Sequence, residues 1–228
     1  MMTVSTQEKT AFIDFILAQN VLKFGQFTLN SGRLSPYFFN LGEVADGAAF
    51  TQLGQAYAAA IIRSGVQFDV LFGPAYKGIP IAVATAMALS ARGHSVGVAY
   101  NRKEAKDHGE GGTLVGAPIQ GRVLMIDDVL TSGKAVRSAA QLIQDAGAEI
   151  VGVAIAMDRE EYHQEKPAEG LPDARATAVT QLADDLGAPV ISIANLHDLI
   201  EYLERSGSGD NLEALASMRE YQTRYCCA

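Results

Sequence analysis

The stretch Arg122-Val-Leu-Met-Ile-Asp-Asp-Val-Leu-Thr-Ser-Gly-Lys-Ala135 decides the fold. Val123 to Ile126 is an apolar run of the length of a buried strand. Two adjacent acids follow, Asp127 and Asp128, and then the small-residue turn Thr131-Ser132-Gly133. Behind the turn, Ala135, Val136, Ala139, Ala140, Leu142 and Ile143 recur at helical spacing. Ligands of open α/β sheets sit at the carboxyl ends of strands, beside helix N-termini. Backbone N–H groups of such a turn can cradle a phosphate, and the helix dipole favours its charge. Two carboxylates beside an anion site repel a bare phosphate, so the ligand must also bring hydroxyls or Mg²⁺. A ribose 5-phosphate meets both demands. An acid pair alone would be an ordinary strand end leading into a capped helix; the whole string asks for more.

Working outward, strand and helix alternate. Asp69 to Gly73, Ser95 to Tyr100, Arg122 to Ile126 and Ile150 to Ala156 read as strands, the last nearly all apolar. Ile79 to Ala91 and Gly133 to Asp145 read as the helices between them, the second stopped at Gly147. Such alternation with apolar strands predicts an α/β fold, a central parallel sheet flanked by helices. Residues 5 to 20 predict an amphipathic helix capped by Ser5 or Thr6, and residues 48 to 64 a second one ending before Gly65. Phe27 to Asn40 is strand-like and punctuated by Gly32 and Pro36, with Tyr37 to Phe39 expected in the core. Toward the end, Ala174 to Leu186 predicts a helix and Val190 to Ile193 a short strand. Asn195 can cap a helix over Leu196 to Glu204. Ser206-Gly-Ser-Gly209 reads as a flexible linker to an amphipathic helix, Leu212 to Tyr225, either mobile or packed on a neighbour.

The 228 residues suffice for one large core, and 48% hydrophobic content suits a globular chain. A net charge of −8 argues against a general nucleic-acid or anionic-membrane binder. The only cysteines, Cys226 and Cys227, are adjacent and offer neither a disulfide framework nor zinc spacing, which fits a reducing compartment. No apolar run reaches bilayer length and no signal-peptide pattern opens the chain, so a cytoplasmic location is expected.

Three further segments carry chemistry. Gly73-Pro-Ala-Tyr-Lys-Gly78 ends a strand in a tight turn, with Lys77 as a point charge for phosphate. Arg102-Lys-Glu-Ala-Lys-Asp-His-Gly-Glu-Gly-Gly112 joins two strands and is too long and polar for a simple connector. Its Arg102, Lys103, Lys106 and His108 concentrate positive charge in an acidic protein, and its glycines supply hinges. A mobile cationic lid suits a departing pyrophosphate and keeps water from an activated sugar. Arg159, in Met157-Asp-Arg-Glu160, presents a fork that fits a carboxylate bidentately; read alone it is a surface ion pair with Glu160 or Glu161.

Ile126 to Ala135 resembles the phosphoribosyl-pyrophosphate (PRPP) motif of the type I phosphoribosyltransferases, and the 102–112 string resembles the catalytic loop of their orotate branch. Phe27 to Arg33 and Ser35 to Asn40 resemble the hood of that branch, and Val190 to Tyr202 its C-terminal element. The resemblance implies the type I phosphoribosyltransferase fold, with a small hood built from N-terminal segments. It divides the chain into one domain, residues 1–206 (hood mainly 1–50, core about 51–194, C-terminal helix 195–206), and a linker with a helical tail, 207–228. It implies transfer of the phosphoribosyl group from PRPP to orotate, with Mg²⁺ held mainly through PRPP. Asp127 and Asp128 would hold the ribose hydroxyls; Val129, Leu130, Thr131, Ser132, Gly133, Lys134 and Ala135 would surround the 5-phosphate. Tyr76, after a typically cis peptide, would handle pyrophosphate with Lys77, Arg102, Lys103, Lys106 and His108. Phe38, Phe39, Thr131 and Arg159 would select the base, Arg159 by reading the orotate carboxylate. The branch is a homodimer whose 102–112 loop closes over the neighbouring active site. One departure is Asn30, where relatives often carry Lys, so pyrophosphate binding would lose a cation there. Phosphoribosyltransferases for other bases should lack the 102–112 string and the hood. A PRPP-binding regulator of the same fold should lack the loop and gain a basic face.

Overall fold

The computed structural model describes residues 6–29, 32–106, 112–130, 133–162, 176–206 and 209–227, with side chains described except at 105, 106, 112 and 209–211. In chain order the first half holds α1 (Thr6–Ala18), β1 (Leu22–Thr28), β2 (Leu34–Phe39), α2 (Gly47–Ser64), β3 (Val70–Gly73), α3 (Gly78–Ser90), β4 (Gly97–Lys106) and β5 (Gly112–Gly116). The second half holds β6 (Arg122–Val129), α4 (Lys134–Asp145), β7 (Glu149–Asp158), α5 (Ala178–Leu186), β8 (Val190–Asn195), α6 (Leu196–Ser206) and α7 (Gly209–Tyr225). The main sheet has the order β5-β4-β3-β6-β7-β8, and β1 and β2 pair in a separate hairpin.

Side-chain alternation along the strands sorts the core onto the two faces of this sheet. Leu71, Leu124, Ile126, Ala154 and Ala156 pack with α1, α2, α3 and α6. Their neighbours Phe72, Val123, Met125, Val153 and Ile155 pack with α4 and α5 on the other side. Burial on both faces is why β3, β6 and β7 read as apolar runs. Local chemistry fixes the helix ends. Asp46 Oδ1 accepts from Ala49 N at the start of α2, and Gly65 closes that helix at φ 74°. Asn195 and Asp198 form a reciprocal box: each side chain accepts from the other's backbone N at 2.9 Å. Asp198 also pairs with Lys9 at 2.7 Å, which ties α6 to α1. At the crossing of α2 and α3, a Cβ on Gly54 would sit 2.4 Å from Ala84 O, so glycine alone permits the approach.

The structure departs from the sequence reading at one edge of the sheet. β4 runs on through Lys106 and turns back as β5, which pairs with it antiparallel. The sheet is therefore parallel from β4 to β8 with one antiparallel edge strand. Beyond Tyr100 β4 has no β3 partner and extends past the buried ladder, so Arg102 to Lys106 lack the apolar alternation that would have marked them. The hairpin also begins earlier than expected, at Leu22, because its register shifts between Phe24 and Phe27, around Gly25 at φ 149°.

The C-terminal helix folds back on its own chain. Met218 and Tyr221 are buried, and Tyr221 meets Tyr37 of β2 edge-on with ring centroids 6.3 Å apart. Arg219 pairs with Glu204 of α6 at 2.5 Å. Among the described residues no helix is long and apolar enough to cross a membrane.

Candidate active site

The chain builds outward from β3 to β4 and β5, then returns to β3's other side with β6, β7 and β8. That reversal opens a crevice at the carboxyl ends of β3 and β6, where open α/β sheets bind their ligands. The 73–78 turn leaves β3 here and the acid pair leaves β6, so two segments distant in sequence become neighbours.

The 73–78 turn is tightly constrained. A Cβ on Gly73 would lie 2.2 Å from Gly78 O, so any other residue would open the turn. The Ala75–Tyr76 peptide is cis, as the resemblance implies. Ala75 N donates to Asn101 Oδ1 at 3.1 Å, which pins the turn to β4. Tyr76 is 64% exposed, and Lys103 Nζ stands 4.6 Å from its ring centroid. Lys77 Nζ donates to Asp128 Oδ2 and to Asn40 Oδ1, both at 2.9 Å. One cation thus joins the β3 turn, the acid pair and the end of the hairpin.

The acids differ in their settings. Asp127 Oδ1 accepts from Asp128 N at 2.9 Å, and Asp128 Oδ1 from Val129 N at 2.8 Å, so both carboxylates are aimed by their own backbone. From below, buried Tyr57 donates its hydroxyl to Asp127 O at 2.8 Å. Burial, and then the Asp128 charge beside it, pushes the Asp127 carboxyl up to about 7. Gly133 follows at φ 65°, a left-handed position that suits glycine, and opens α4. Leu130 is buried; Lys134 and Ala135 are exposed in the first turn of α4.

Arg159 emerges from β7, the strand beside β6. Asp158 Oδ1 accepts from Glu160 N at 2.8 Å and supports a left-handed turn at Glu160, φ 54°. The Glu160 carboxylate accepts from His197 N at the start of α6, and burial raises its carboxyl to about 7. The Arg159 guanidinium is not the surface ion pair its sequence context also allowed. It is 8% exposed and stacks over Tyr37 with 4.3 Å to the ring centroid. Its Nε donates to Glu161 Oε1 at 2.5 Å and its Nη2 to Ser35 Oγ at 3.1 Å.

Several expected site residues meet in this arrangement: Tyr76, Lys77, Lys103, Asp127, Asp128 and Val129 lie around the crevice, with Arg159 one strand away. Phe38 and Phe39 divide. They are consecutive on a strand and face opposite ways, so Phe39 is buried in the core while Phe38 is 38% exposed and packs on Phe27 at 5.5 Å. Arg102 lies on the polar end of β4. Asn30, His108, Thr131 and Ser132 lie outside the described residues, and of Lys106 only the backbone is described. Sequence reasoning missed Asn40, Asn101 and Tyr57, which orient Lys77, the 73–78 turn and the acid pair. Single Asn and Tyr residues carry no spacing signal. Among the described residues no group of three or more His, Cys, Asp or Glu could hold a metal ion by itself.

The fold and the crevice define a phosphoribosyltransferase, and the family model described as phosphoribosyl transferase domain matches residues 40–176. The chain is 49% identical over 224 residues to the orotate phosphoribosyltransferase of Ralstonia pickettii, covering 98% of this chain and 96% of that one. It is 50% identical over 216 residues to that of Vibrio cholerae, covering 94% and 96%. A crystal structure of orotate phosphoribosyltransferase from Francisella tularensis matches it with a TM-score of 0.80 at 36% identity, covering 95% of this chain and 100% of that one. The chain belongs to the orotate phosphoribosyltransferase family.

Proposed function

We propose that this chain transfers the phosphoribosyl group of PRPP to orotate, giving orotidine 5′-phosphate and pyrophosphate in pyrimidine biosynthesis. The observation that carries this reading is the pairing of two recognition elements on adjacent strands: the acid pair ending β6 and the guanidinium after β7. Asp127 and Asp128 take the ribose hydroxyls. The amides from Val129 through Leu130, Thr131, Ser132, Gly133 and Lys134 to Ala135 take the 5-phosphate, with Lys134 adding charge. Orotate N1 bonds to C1 as the C1–O bond breaks; the electron pair of that bond leaves with pyrophosphate, and the N1 proton is released to pyrophosphate or solvent. Charge then builds on the leaving oxygens, toward which Lys77, Lys103 and Arg102 supply cations beside Tyr76; from the sequence, Lys106, His108 and Asn30 join them in this role. Phe38 and Thr131 hold the base and Arg159 reads its carboxylate, while Phe39, buried in the core, backs the hairpin that carries Phe38. Mg²⁺, held mainly through PRPP, would supply charge neutralisation at the pyrophosphate. The acid pair fits such an ion as an outer partner, since Lys77 already balances Asp128. A cytoplasmic location, expected from the sequence, belongs to the same proposal.

The experiment is direct. Purified protein with PRPP, Mg²⁺ and one base at a time (orotate, uracil, adenine or hypoxanthine) is followed by absorbance and product mass. Orotate alone should be consumed, and only with PRPP and Mg²⁺ both present. Turnover of another base in its place would overturn the assignment of Arg159.

The homodimer belongs to the same proposal, and α3 supports it. Tyr76, Pro80, Val83 and Met87 form an exposed stripe at helical spacing leading away from the crevice, with Met87 70% exposed. An apolar stripe beside the site suits a second copy whose 102–112 loop completes that site. Sedimentation should give twice the 24.2 kDa chain mass. Val83→Asp buries a charge in that contact. It should yield monomers and lower turnover about tenfold or more. A fully active monomer would contradict the shared site.

A further inference from the structure

We infer that Glu161 and Tyr221 are positioning residues for base recognition: they lock one edge of the Arg159 guanidinium, so that only its other edge is offered to the carboxylate of the base. The inference rests on the reading of Arg159 as the group that meets orotate.

A guanidinium presents its donors in a rigid planar fork, with Nε and Nη2 on one side edge and the two Nη groups on the end. Here the side edge is used within the chain, Nε by Glu161 and Nη2 by Ser35, and the Tyr221 hydroxyl stands against the guanidinium as well as against Glu161. Ser35 is suited to accept only. Its single proton goes to Tyr37 O at 2.6 Å, which turns an oxygen lone pair toward Arg159. Glu161 is itself held. Its Oε1 also accepts the Tyr221 hydroxyl at 2.8 Å, and Arg33 Nη1 lies 3.4 Å from its Oε2. Both partners of the ion pair are largely buried, so the guanidinium cannot swing to water without stranding the carboxylate.

Tyr221 comes from α7, outside the 40–176 span that matches the family model. The end of that helix is stitched to the segment after β7. Tyr162 N donates to Tyr225 O at 2.9 Å, and Cys227 N to Glu160 O at 3.1 Å. The Cys226 thiol donates to Arg159 O at 3.6 Å. A helix with no motif of its own thus supplies the back wall of the base-reading group. Pre-set orientation lowers the ordering cost of binding, so its loss should appear in orotate affinity and not in handling of PRPP.

Steady-state kinetics on the full-length chain test this. Glu161→Gln keeps the shape and the acceptor oxygen but removes the charge. It should raise the orotate KM about tenfold, while kcat and the PRPP KM stay within about twofold. Tyr221→Phe keeps the ring packing and should raise the orotate KM about threefold. In an Arg159→Ala background, Glu161→Gln should add nothing further to the orotate KM. An unchanged orotate KM, or equal rises in the orotate and PRPP KM values, overturns the inference. If Glu161→Gln does not fold, Tyr221→Phe decides by the same criteria. A wild-type chain that never consumes orotate rejects the reaction itself; an active wild type with unmoved variants rejects only the positioning role.

Discussion

Replacing Asp127 with Asn should make the protein more stable at pH 8 and nearly inactive. In the folded chain burial and the neighbouring Asp128 raise the Asp127 carboxyl to about 7. In the unfolded chain it titrates near 3.9, the ordinary value for Asp. Between these two values the folded state binds more protons than the unfolded one, so stability is lost as pH rises through the window. Above it, the ionised carboxylate costs about 4 kcal/mol in the folded state. Asn removes that cost, and its carbonyl can still accept from Asp128 N. Urea unfolding should show the variant more stable by about 2–4 kcal/mol at pH 8, the gap narrowing to about 1 kcal/mol at pH 5 and closing only below about pH 4. The same charge is what the ribose hydroxyls need as an acceptor. The variant should therefore lose about a hundredfold or more in kcat/KM for PRPP. Wild-type PRPP affinity should improve between pH 6 and pH 8, and that dependence should flatten in the variant. Equal stabilities at pH 8, or retained activity, would remove Asp127 from its role.

The second large effect concerns Arg159→Ala. Two losses combine. The orotate carboxylate loses its fork, and Glu161 is left largely buried without its principal cation. Removing one partner of a buried ion pair typically costs about 3–5 kcal/mol of stability. The orotate kcat/KM should fall by about 10²–10³. The PRPP KM should change little, because the proposed PRPP site lies on β6 and the β3 turn. Adding Glu161→Gln to the same chain should recover part of the lost stability, since a neutral amide tolerates the site better than an unpaired carboxylate. Urea unfolding and kinetics on the single and double variants separate the two losses. A single variant as stable as wild type would mean the Glu161 contact is not formed in solution.

Much of this site was legible because its chemistry runs along the chain. The strand–acid pair–turn–helix string at 122–135 and the turn at 73–78 are continuous, so spacing carries them. What spacing cannot carry is the strand order. Nothing in the sequence says that β6 returns to the far side of β3, yet that reversal brings Lys77 to Asp128. Asn40 and Asn101 were invisible for the same reason, each being a lone amide whose role exists only across elements. The end of β4 was missed because its Arg, Lys and Glu show no apolar alternation, and β5 because Gly-Thr-Leu-Val-Gly is a five-residue segment bounded by glycines that reads as loop. Glu161 was visible only as a possible surface partner of Arg159. Its burial depends on α7, and an amphipathic helix at the chain end does not declare which surface it covers. The consecutive Phe38 and Phe39 show the limit in the other direction. A strand's period of two sends one to the core, so the aromatic run could not act as a single clamp.

A crystal structure with PRPP, Mg²⁺ and orotate, or a non-reacting analogue of either substrate, tests the site most directly. Ribose hydroxyls should lie on the Asp127 and Asp128 carboxylates, the pyrophosphate against Lys77 and the Tyr76 turn, and the orotate carboxylate on the end edge of Arg159, with Glu161 still on Nε. Orotate bound with its carboxylate away from Arg159, or ribose held without the acid pair, would contradict this arrangement.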